Sequence, residues 1–161
     1  MIGKKKVKIG DVFIINMQNG KSYGQVVADG FDKCYIIYDI ISKAILEPEE
    51  VVKAPIIFLT FTIDGFIEEG RWQVIGNLSI PNNIIFPIFK VDTLDGYMLM
   101  DHMGNYLRNA SKSEIKELNY HKSVSPALLE HAVMAKFENY KWESYFDEIL
   151  YKNSVGIKDL K

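Results

Sequence analysis

The architecture of this chain follows from one stretch near its beginning, which reads Val12-Phe-Ile-Ile-Asn-Met-Gln-Asn-Gly-Lys-Ser-Tyr-Gly-Gln-Val-Val-Ala28. Residues 12–16 and 23–28 are rich in the apolar and β-branched side chains that favour strands. Asn19-Gly20 lies between them, and both residues tolerate the positive φ that a tight hairpin turn requires. The stretch therefore predicts two antiparallel strands joined by a hairpin.

More strands are predicted downstream. Residues 34–41 form another β-branched run after the Asp29-Gly30 turn, and the continuous apolar run at 56–63 indicates an interior strand. The first three strands make a meander, which must curl into a small barrel or be covered by helices. Residues 64–77 fit no periodic pattern and are interpreted as a structured connection. Residues 97–101 and 106–110 predict a late hairpin around Gly104-Asn105.

The last third of the chain predicts helices. Ser111-Lys-Ser-Glu114 fits a capping box and opens a short helix that reaches Leu118. Ser125-Pro126 combines an N-cap residue with proline at the first helical position, and the apolar pattern that follows predicts one helix, bent midway, over residues 126–151. Strands followed by helices indicate the α+β class, with a bent antiparallel sheet, barrel-like in one alternative, and C-terminal helices. We interpret residues 1–161 as a single domain in which 120–161 form a helical C-terminal extension.

Composition narrows the classes of function. The chain has 161 residues, 48% of them apolar, which suits one globular domain with a real core. Its net charge of -2 lacks the basic excess of a protein that wraps nucleic acid. Cys34 is the one cysteine, which excludes an internal disulfide and favours the reducing cytoplasm. The basic N-terminus leads into no signal-peptide core, and no apolar run is long enough to cross a membrane.

A search for catalytic motifs finds none. The glycines have neither phosphate-loop nor dinucleotide spacing, and there is no G-x-S-x-G nucleophile turn. The three histidines share no i, i+3 or i, i+4 spacing, so the usual metal pair is missing. The acid pairs Asp92 with Asp95 and Glu68 with Glu69 fit solvated loops better than a catalytic dyad. We predict no catalytic residue, no metal site and no cofactor.

Charged clusters and one aromatic segment are the candidates for binding a partner. The acidic clusters are Glu47, Glu49 and Glu50; Glu68 and Glu69; and Glu143, Asp147 and Glu148. An acidic patch can mimic phosphate and dock onto the basic active site of a nuclease, and the plainer interpretation is a solvated face. Arg71 and Trp72 are residue types that anchor interfaces, and Trp72 can instead fill the core beside Gly76. Both interpretations can be true at once, if Trp72 anchors the segment in the core and Arg71 is exposed to a partner.

Three motifs, taken in order, resemble a known family. They are Lys8-Ile-Gly-Asp-Val-Phe-Ile-Ile15, then Gly20 with Tyr23-Gly-Gln-Val26, and finally Gly70-Arg-Trp-Gln-Val-Ile-Gly-Asn77. The ordered set is similar to the immunity protein 26 family of bacterial polymorphic toxin systems. The similarity runs over residues 8–118 and includes the Ser111 to Leu118 segment.

The resemblance implies a cytoplasmic α+β protein without catalytic activity, which binds the C-terminal domain of a cognate toxin and blocks it. It implies neither nucleic acid nor membrane as a direct partner. The family's recurring residues are matched by position, and interpreted as structural, at Gly10, Asp11, Gly20, Gly24, Trp72 and Gly76. The residues that we predict to contact the toxin are Glu47, Glu49, Glu50, Glu68, Glu69, Arg71 and Trp72.

Two alternatives remain at this stage. The opening also resembles toxin endoribonucleases of the PemK type, which are SH3-like barrels with an Arg-Pro pair after the first hairpin. Here the return strand Tyr23-Gly-Gln-Val-Val-Ala28 lacks that cation. A nucleic-acid-binding barrel would need a basic groove lined by Lys21, Lys33, Lys43, Lys53 and Arg71. A small-ligand module would surround a pocket with Trp72, Phe86, Phe89 and Tyr97, for which the sequence offers no convergent polar set.

Overall fold

The computed structural model describes residues 6–30 and 32–154, and it confirms the predicted α+β class. The strands are β1 (Asp11–Asn16), β2 (Lys21–Asp29), β3 (Lys33–Ser42), β4 (Ile56–Thr62), β5 (Gln73–Asn77), β6 (Phe89–Thr93), β7 (Gly96–Met100) and β8 (Tyr106–Asn109). The helices are α1 (Pro48–Val51), α2 (Gly65–Glu68), α3 (Lys112–Glu117), α4 (Pro126–Phe137) and α5 (Tyr151–Ser154), with a 3₁₀ helix (Ser144–Ile149) between the last two. Most of the helical residues lie in the C-terminal third.

The larger sheet grows from the predicted hairpin. β1 and β2 are antiparallel, and Met17 N donates to Gly20 O across the turn at 2.8 Å. The strand order is β4-β3-β2-β1-β5, so the sheet is open and has β4 and β5 as its two edges. The barrel-like alternative is therefore wrong. The meander instead buries its two faces against other elements, which makes closure unnecessary.

The connection predicted over residues 64–77 is wrong in part, because it contains α2 and β5. Gln73 lies opposite Ile14, Asn77 lies opposite Asp11, and a bulge leaves Ile75 without a register partner. Such a short, bulged strand shows no alternation of polar and apolar residues. Its strand conformation comes from pairing with β1 more than from its own sequence.

Each face of the larger sheet is buried in its own apolar cluster. The first cluster joins Phe13, Ile15, Tyr35 and Ile37 to Ile67 of α2, Leu129 and Val133 of α4, and Phe146 of the 3₁₀ helix. The second cluster joins Val12, Ile14, Ile36 and Tyr38 to Val51 of α1, Phe89 of β6 and Met100 of β7. Helices therefore cover one face, whereas α1 and the three-stranded sheet β6-β7-β8 cover the other. Burial on both faces explains why the strands read as continuous apolar runs.

Two predicted helix starts and the late hairpin are confirmed. Ser111 Oγ accepts from Glu114 N at 3.2 Å while the Glu114 carboxylate accepts from Ser111 N at 2.8 Å, which completes the capping box. Ser125 Oγ accepts from Leu128 N at 3.1 Å and caps α4. β7 and β8 pair as the late hairpin. All of these are local features that a short window of sequence can indicate.

The helix predicted over residues 126–151 is wrong in length, since α4 ends at Phe137. Asn139 adopts a left-handed φ of 57°, which turns the chain out of the helical path. At the same point the Glu138 carboxylate accepts from Gln18 N at 3.0 Å and Asn19 N at 2.7 Å in the β1–β2 turn. That contact joins residues about 120 positions apart in the sequence, so the amphipathic pattern could not indicate it.

We expect Gly24→Ala to lower the free energy of unfolding by about 1–3 kcal/mol, through overpacking. A Cβ at Gly24 would lie 2.7 Å from Ile36 O and 2.8 Å from Ile37 Cδ1, and it would also collide with the Phe13 ring. Gly65→Ala is the matched control, because nothing lies within 4 Å of a Cβ there. Urea denaturation of both variants measures the difference, and equal losses of stability would contradict the packing argument.

Acid stability gives a second test of the fold. Arg108 donates from Nη1 and Nη2 to the two oxygens of Glu114 at 2.8 and 2.7 Å. With the N–H of Ser111, this lowers the pKa of Glu114 from 4.5 to about 2. As the pH falls, the Glu114 carboxylate is therefore protonated in the unfolded chain at a higher pH than in the folded protein. The stabilisation is complete above about pH 4.5 and is lost as the pH falls towards about 2.

We expect Glu114→Gln to be less stable than the wild type at pH 6 and to approach it as the pH falls from about 4.5 to about 2. Urea midpoints across that range measure the effect. Glu117→Gln, at an exposed position in the same helix, is the control and should keep the wild-type pH dependence. A constant difference between Glu114→Gln and the wild type at all pH values would contradict the linkage.

Candidate partner-binding site

Trp72 connects α2 to β5 and lies inside the protein. Its backbone N donates to Phe66 O at 2.9 Å, which folds the segment back over α2. The side chain is 1% exposed, stacks on Phe13 with centroids 5.2 Å apart, and meets the Phe66 ring edge-on at 5.3 Å. Trp72 thus fills the first apolar cluster and presents almost no surface of its own.

The polar end of Trp72 is held by Glu130 of α4. Trp72 Nε1 donates to Glu130 Oε2 at 2.9 Å, Arg71 Nε donates to the same oxygen at 3.2 Å, and Arg71 Nη2 donates to Glu130 Oε1. Glu130 is 6% exposed, whereas the Arg71 side chain is 56% exposed and lies 4.3 Å from the Phe66 ring centroid. One carboxylate therefore satisfies a buried indole and orients an exposed guanidinium.

Sequence reasoning missed Glu130, although the sequence contains a signal for it. Glu130 falls four residues after Pro126 and three before Val133, and both of those side chains are buried. A carboxylate on the buried face of a helix needs a charged or hydrogen-bonding partner. The spacing could have identified Glu130 as unusual. It could not have named Trp72 and Arg71, which lie nearly 60 positions earlier in the chain.

The first predicted acidic cluster surrounds α1. Glu47, Glu49 and Glu50 are exposed, and Pro48 packs against β5 so closely that a Cβ on Gly76 would lie 2.9 Å from its ring. α1 covers the second apolar cluster through its buried face. These three carboxylates therefore lie beside the C-terminal end of β5.

The second predicted acidic cluster adjoins the other end of β5. Glu68 is half-buried at the end of α2, and Glu69 is exposed. Arg71 lies two residues before Gln73, the first residue of β5. α2 packs on the first apolar cluster, so the two acidic segments are attached to opposite faces of the sheet. Both nevertheless adjoin one edge strand, which we name the β5 edge. Six of the seven predicted contact residues flank it, and Trp72 lies beneath.

The motif residues make close internal contacts. Gly10 has a φ of 95°, and a Cβ there would lie 2.6 Å from Leu78 O. Asp11 accepts from Lys8 N at 3.0 Å and from Asn77 Nδ2 at 2.9 Å, which ties the start of β1 to the end of β5. Gly20, Gly24 and Gly76 pack against Ser42, Phe13 and Pro48, respectively. These positions support the scaffold that carries the β5 edge.

Two histidines and the cysteine have other neighbours in the fold. Burial lowers the pKa of His102, which stacks on Phe86 at 3.8 Å, and of His121, which lies 3.6 Å from Asp32. Cys34 is completely buried, and burial raises the pKa of its thiol. Within residues 6–30 and 32–154, no three His, Cys, Asp or Glu side chains are grouped as a metal ion would require.

The basic groove of the nucleic-acid alternative is not assembled. Lys21 and Lys33 lie at opposite ends of the β2–β3 pair. Lys21 is opposite Ser42, the last residue of β3, whereas Lys33, the first residue of β3, is opposite Asp29. Lys33 Nζ is paired with Asp64 Oδ2 at 2.6 Å. Arg71 is already bound to Glu130. Three of the five cations that this alternative requires, Lys21, Lys33 and Arg71, are therefore separated or neutralised.

A cleft of about 670 Å³ lies where the 85–89 segment meets the C-terminal part of the chain. Phe86 and Phe89 line it together with Phe61 and His121. Trp72 and Tyr97 do not line it, so the four aromatic residues of the small-ligand alternative do not converge.

Among the described residues, none of the helices has both the length and the apolar character needed to cross a membrane.

The fold and the site define an α+β protein whose sequence motifs build a scaffold and whose charged side chains flank an open sheet edge. The model of the immunity protein 26 family matches residues 8–96, which is more than half of the chain. The chain belongs to this family, as its motifs predicted. The match ends before the Ser111 to Leu118 segment. Searches of curated proteins and of solved structures returned no match.

We expect Glu130→Ala to lower the free energy of unfolding by about 2 kcal/mol, because it leaves the buried Trp72 N–H without its acceptor. The exposed Arg71 is hydrated once released and should add little to this loss. Glu130→Gln retains an acceptor and should lose about half as much. His131→Ala, at the exposed neighbouring position, is the control. Urea unfolding monitored through the indole resonance of Trp72 measures all three, and an unperturbed Glu130→Ala would contradict the assignment.

Proposed function

We propose that this chain neutralises a cognate toxin by binding it, without a chemical step of its own. Membership of the immunity protein 26 family is the observation that carries this proposal. The contacts of the motif residues also support the proposal. Asp11, Trp72 and the motif glycines make internal contacts, which leaves the charged side chains around the β5 edge accessible to a partner.

The proposed partner is the C-terminal toxin domain of a bacterial polymorphic toxin, and the proposed compartment is the cytoplasm. A single cysteine, buried as a free thiol at Cys34, is compatible with a reducing environment. In this proposal protein contacts alone hold the toxin, and the chemistry of His102, His121 and Cys34 is not needed.

The proposed contact surface is the β5 edge with its flanking residues. Carboxylates at Glu47, Glu49 and Glu50 accelerate association with a basic toxin surface such as a nuclease active site. Arg71 is already fixed between Glu130 and the Phe66 ring, so it loses little conformational freedom when a partner carboxylate approaches it. Trp72 contributes indirectly, by holding this segment in the core.

Co-expression with the toxin domain encoded by the adjacent upstream gene tests the function. We expect the chain to restore growth of the host and to copurify with the toxin domain. The absence of both rescue and complex would contradict the proposed function.

Charge reversal tests the contact surface separately. We expect Glu49→Lys with Glu50→Lys to slow association with the toxin domain about tenfold at low salt, and the difference to shrink at high salt. The matched control is Asp92→Lys with Asp95→Lys, which alters the net charge equally at exposed positions near the β6–β7 turn. Stopped-flow association rates measure both pairs, and equal rates would contradict the surface while leaving the function intact.

A further inference from the structure

The two edges of the larger sheet differ. β4 is bridged by Leu150 at Phe58 and by Ser123 at Phe61. The Phe61 carbonyl also accepts from Val124 N at 2.9 Å, so later parts of the chain cover this edge. In the part of the chain that the structure describes, no strand pairs with the outer side of β5. An open edge of this kind can accept an extended segment of another chain, whose backbone continues the hydrogen bonding of the sheet.

The register of β1 identifies the backbone groups of β5 that point outwards. Successive residues of an antiparallel strand direct their N–H and C=O groups to opposite neighbouring strands. Met17 N donates to Gly20 O across the hairpin, so every second residue counted back from Met17, including Phe13, bonds to β2. Val74 lies opposite Phe13. Because Phe13 bonds to β2, the N–H and C=O of Val74 point away from β1, towards the open side of the edge.

The sequence of β5 leaves this edge accessible. β5 contains no proline and no charged residue, which are the usual protections of an edge strand. Gln73 and Asn77 are exposed, and the three residues between them are half-buried. The bulge at Ile75 interrupts the regular pairing, so the edge suits a short extended segment.

Both ends of β5 are fixed by hydrogen bonds. Just before β5, Trp72 N donates to Phe66 O at 2.9 Å. Just after β5, Leu78 N donates to Gly10 O at 3.0 Å, and the Leu78 carbonyl accepts from Nε2 of the buried Gln25 at 2.9 Å. A strand that is already held in place loses little conformational entropy when a partner pairs with it.

The charges at the two ends of β5 indicate the charge of the segment that fits. The flanking glutamates that take part in no ion pair within the described structure are Glu47, Glu49, Glu50, Glu68 and Glu69. Residues 47–53 contain one lysine beside three glutamates, and Arg71 at the other end is bound to Glu130. An uncharged segment with arginine or lysine at its ends therefore complements this edge.

We propose that the β5 edge binds an extended segment of the toxin as an additional strand, with the backbone of that segment hydrogen-bonded to Val74 and its basic side chains beside the flanking glutamates. This inference rests on the proposed function, which supplies the partner, and it specifies how that partner is held. A second copy of this chain would bring the same glutamates to the same edge, which is unfavourable.

The test uses the full chain and the toxin domain encoded by the adjacent upstream gene. Amide hydrogen exchange is followed by NMR in the free chain and in the complex. We expect the Val74 amide to exchange about a hundredfold more slowly in the complex, because its N–H becomes part of a strand pair. The amides of β8, the edge strand of the smaller sheet, are the internal control and should exchange at the same rate in both samples.

Substitutions at Val74 separate its backbone from its side chain. Val74→Pro removes the outward N–H and suits an edge strand, whereas Val74→Ala keeps the N–H and controls for the altered side chain. We expect Val74→Pro to bind the toxin domain about tenfold more weakly than Val74→Ala in calorimetry. Exchange is measured on the wild-type chain, so the test does not depend on the folding of either variant.

The outcomes separate this inference from the proposed function. Slower exchange at Val74 in the complex, with weaker binding by the proline variant, supports strand addition. Unchanged exchange at Val74 in a complex that does form overturns strand addition and leaves the proposed function standing. Protection of Val74 in the free chain that grows with its concentration identifies a second copy as the occupant and also overturns the inference. A wild-type chain that neither binds the toxin domain nor restores growth overturns both.

Discussion

The hydrogen bond from the Trp72 indole to the Glu130 carboxylate joins the two parts of this protein. Trp72 belongs to the family-matched part and Glu130 to α4, and the atoms lie 2.9 Å apart in a buried setting. A tryptophan that fills a core needs an acceptor for its N–H, and a buried carboxylate needs donors. Each group removes the cost of burying the other. The position of α4, the orientation of Arg71 and the seating of Trp72 all depend on this contact.

The larger sheet explains why the C-terminal part is needed for the core. Both faces of β1, β2 and β3 are apolar, so each face requires a cover. One cover, made by α1 and the smaller sheet, is built largely from residues within or just beyond the family-matched part. The other cover includes Leu129 and Val133 of α4 and Phe146 of the 3₁₀ helix, all beyond residue 96. Residues of α4 and of the 3₁₀ helix therefore form part of the core.

The features that the sequence predicted correctly are local. The β1–β2 hairpin, the Ser111 capping box and the Ser125 cap each depend on residues only a few positions apart, and all are present. β5 was missed because its pairing with β1 spans about 60 positions and its bulge removes any alternation. The end of α4 was missed because Glu138 is drawn to the β1–β2 turn. In the candidate site, the exposed acids were recognisable by type, whereas Glu130 acquires its role only through distant partners.

The residues that hold the fold together are different from the exposed residues that a partner could contact. Gly10, Asp11 and Trp72 lie in the family-matched part, and each makes internal contacts that a substitution would break. The exposed glutamates of α1, in contrast, can be replaced without breaking internal contacts. Glu49, which lies on α1 beside β5, can change without opening a cavity or stranding a buried polar atom. A binding protein that must match different partners on one scaffold needs this separation, because specificity changes through surface residues while the core stays fixed. The edge at β5 provides such a region, whereas β4 is bridged by Leu150 at Phe58 and by Ser123 at Phe61. A closed barrel would have removed the β5 edge.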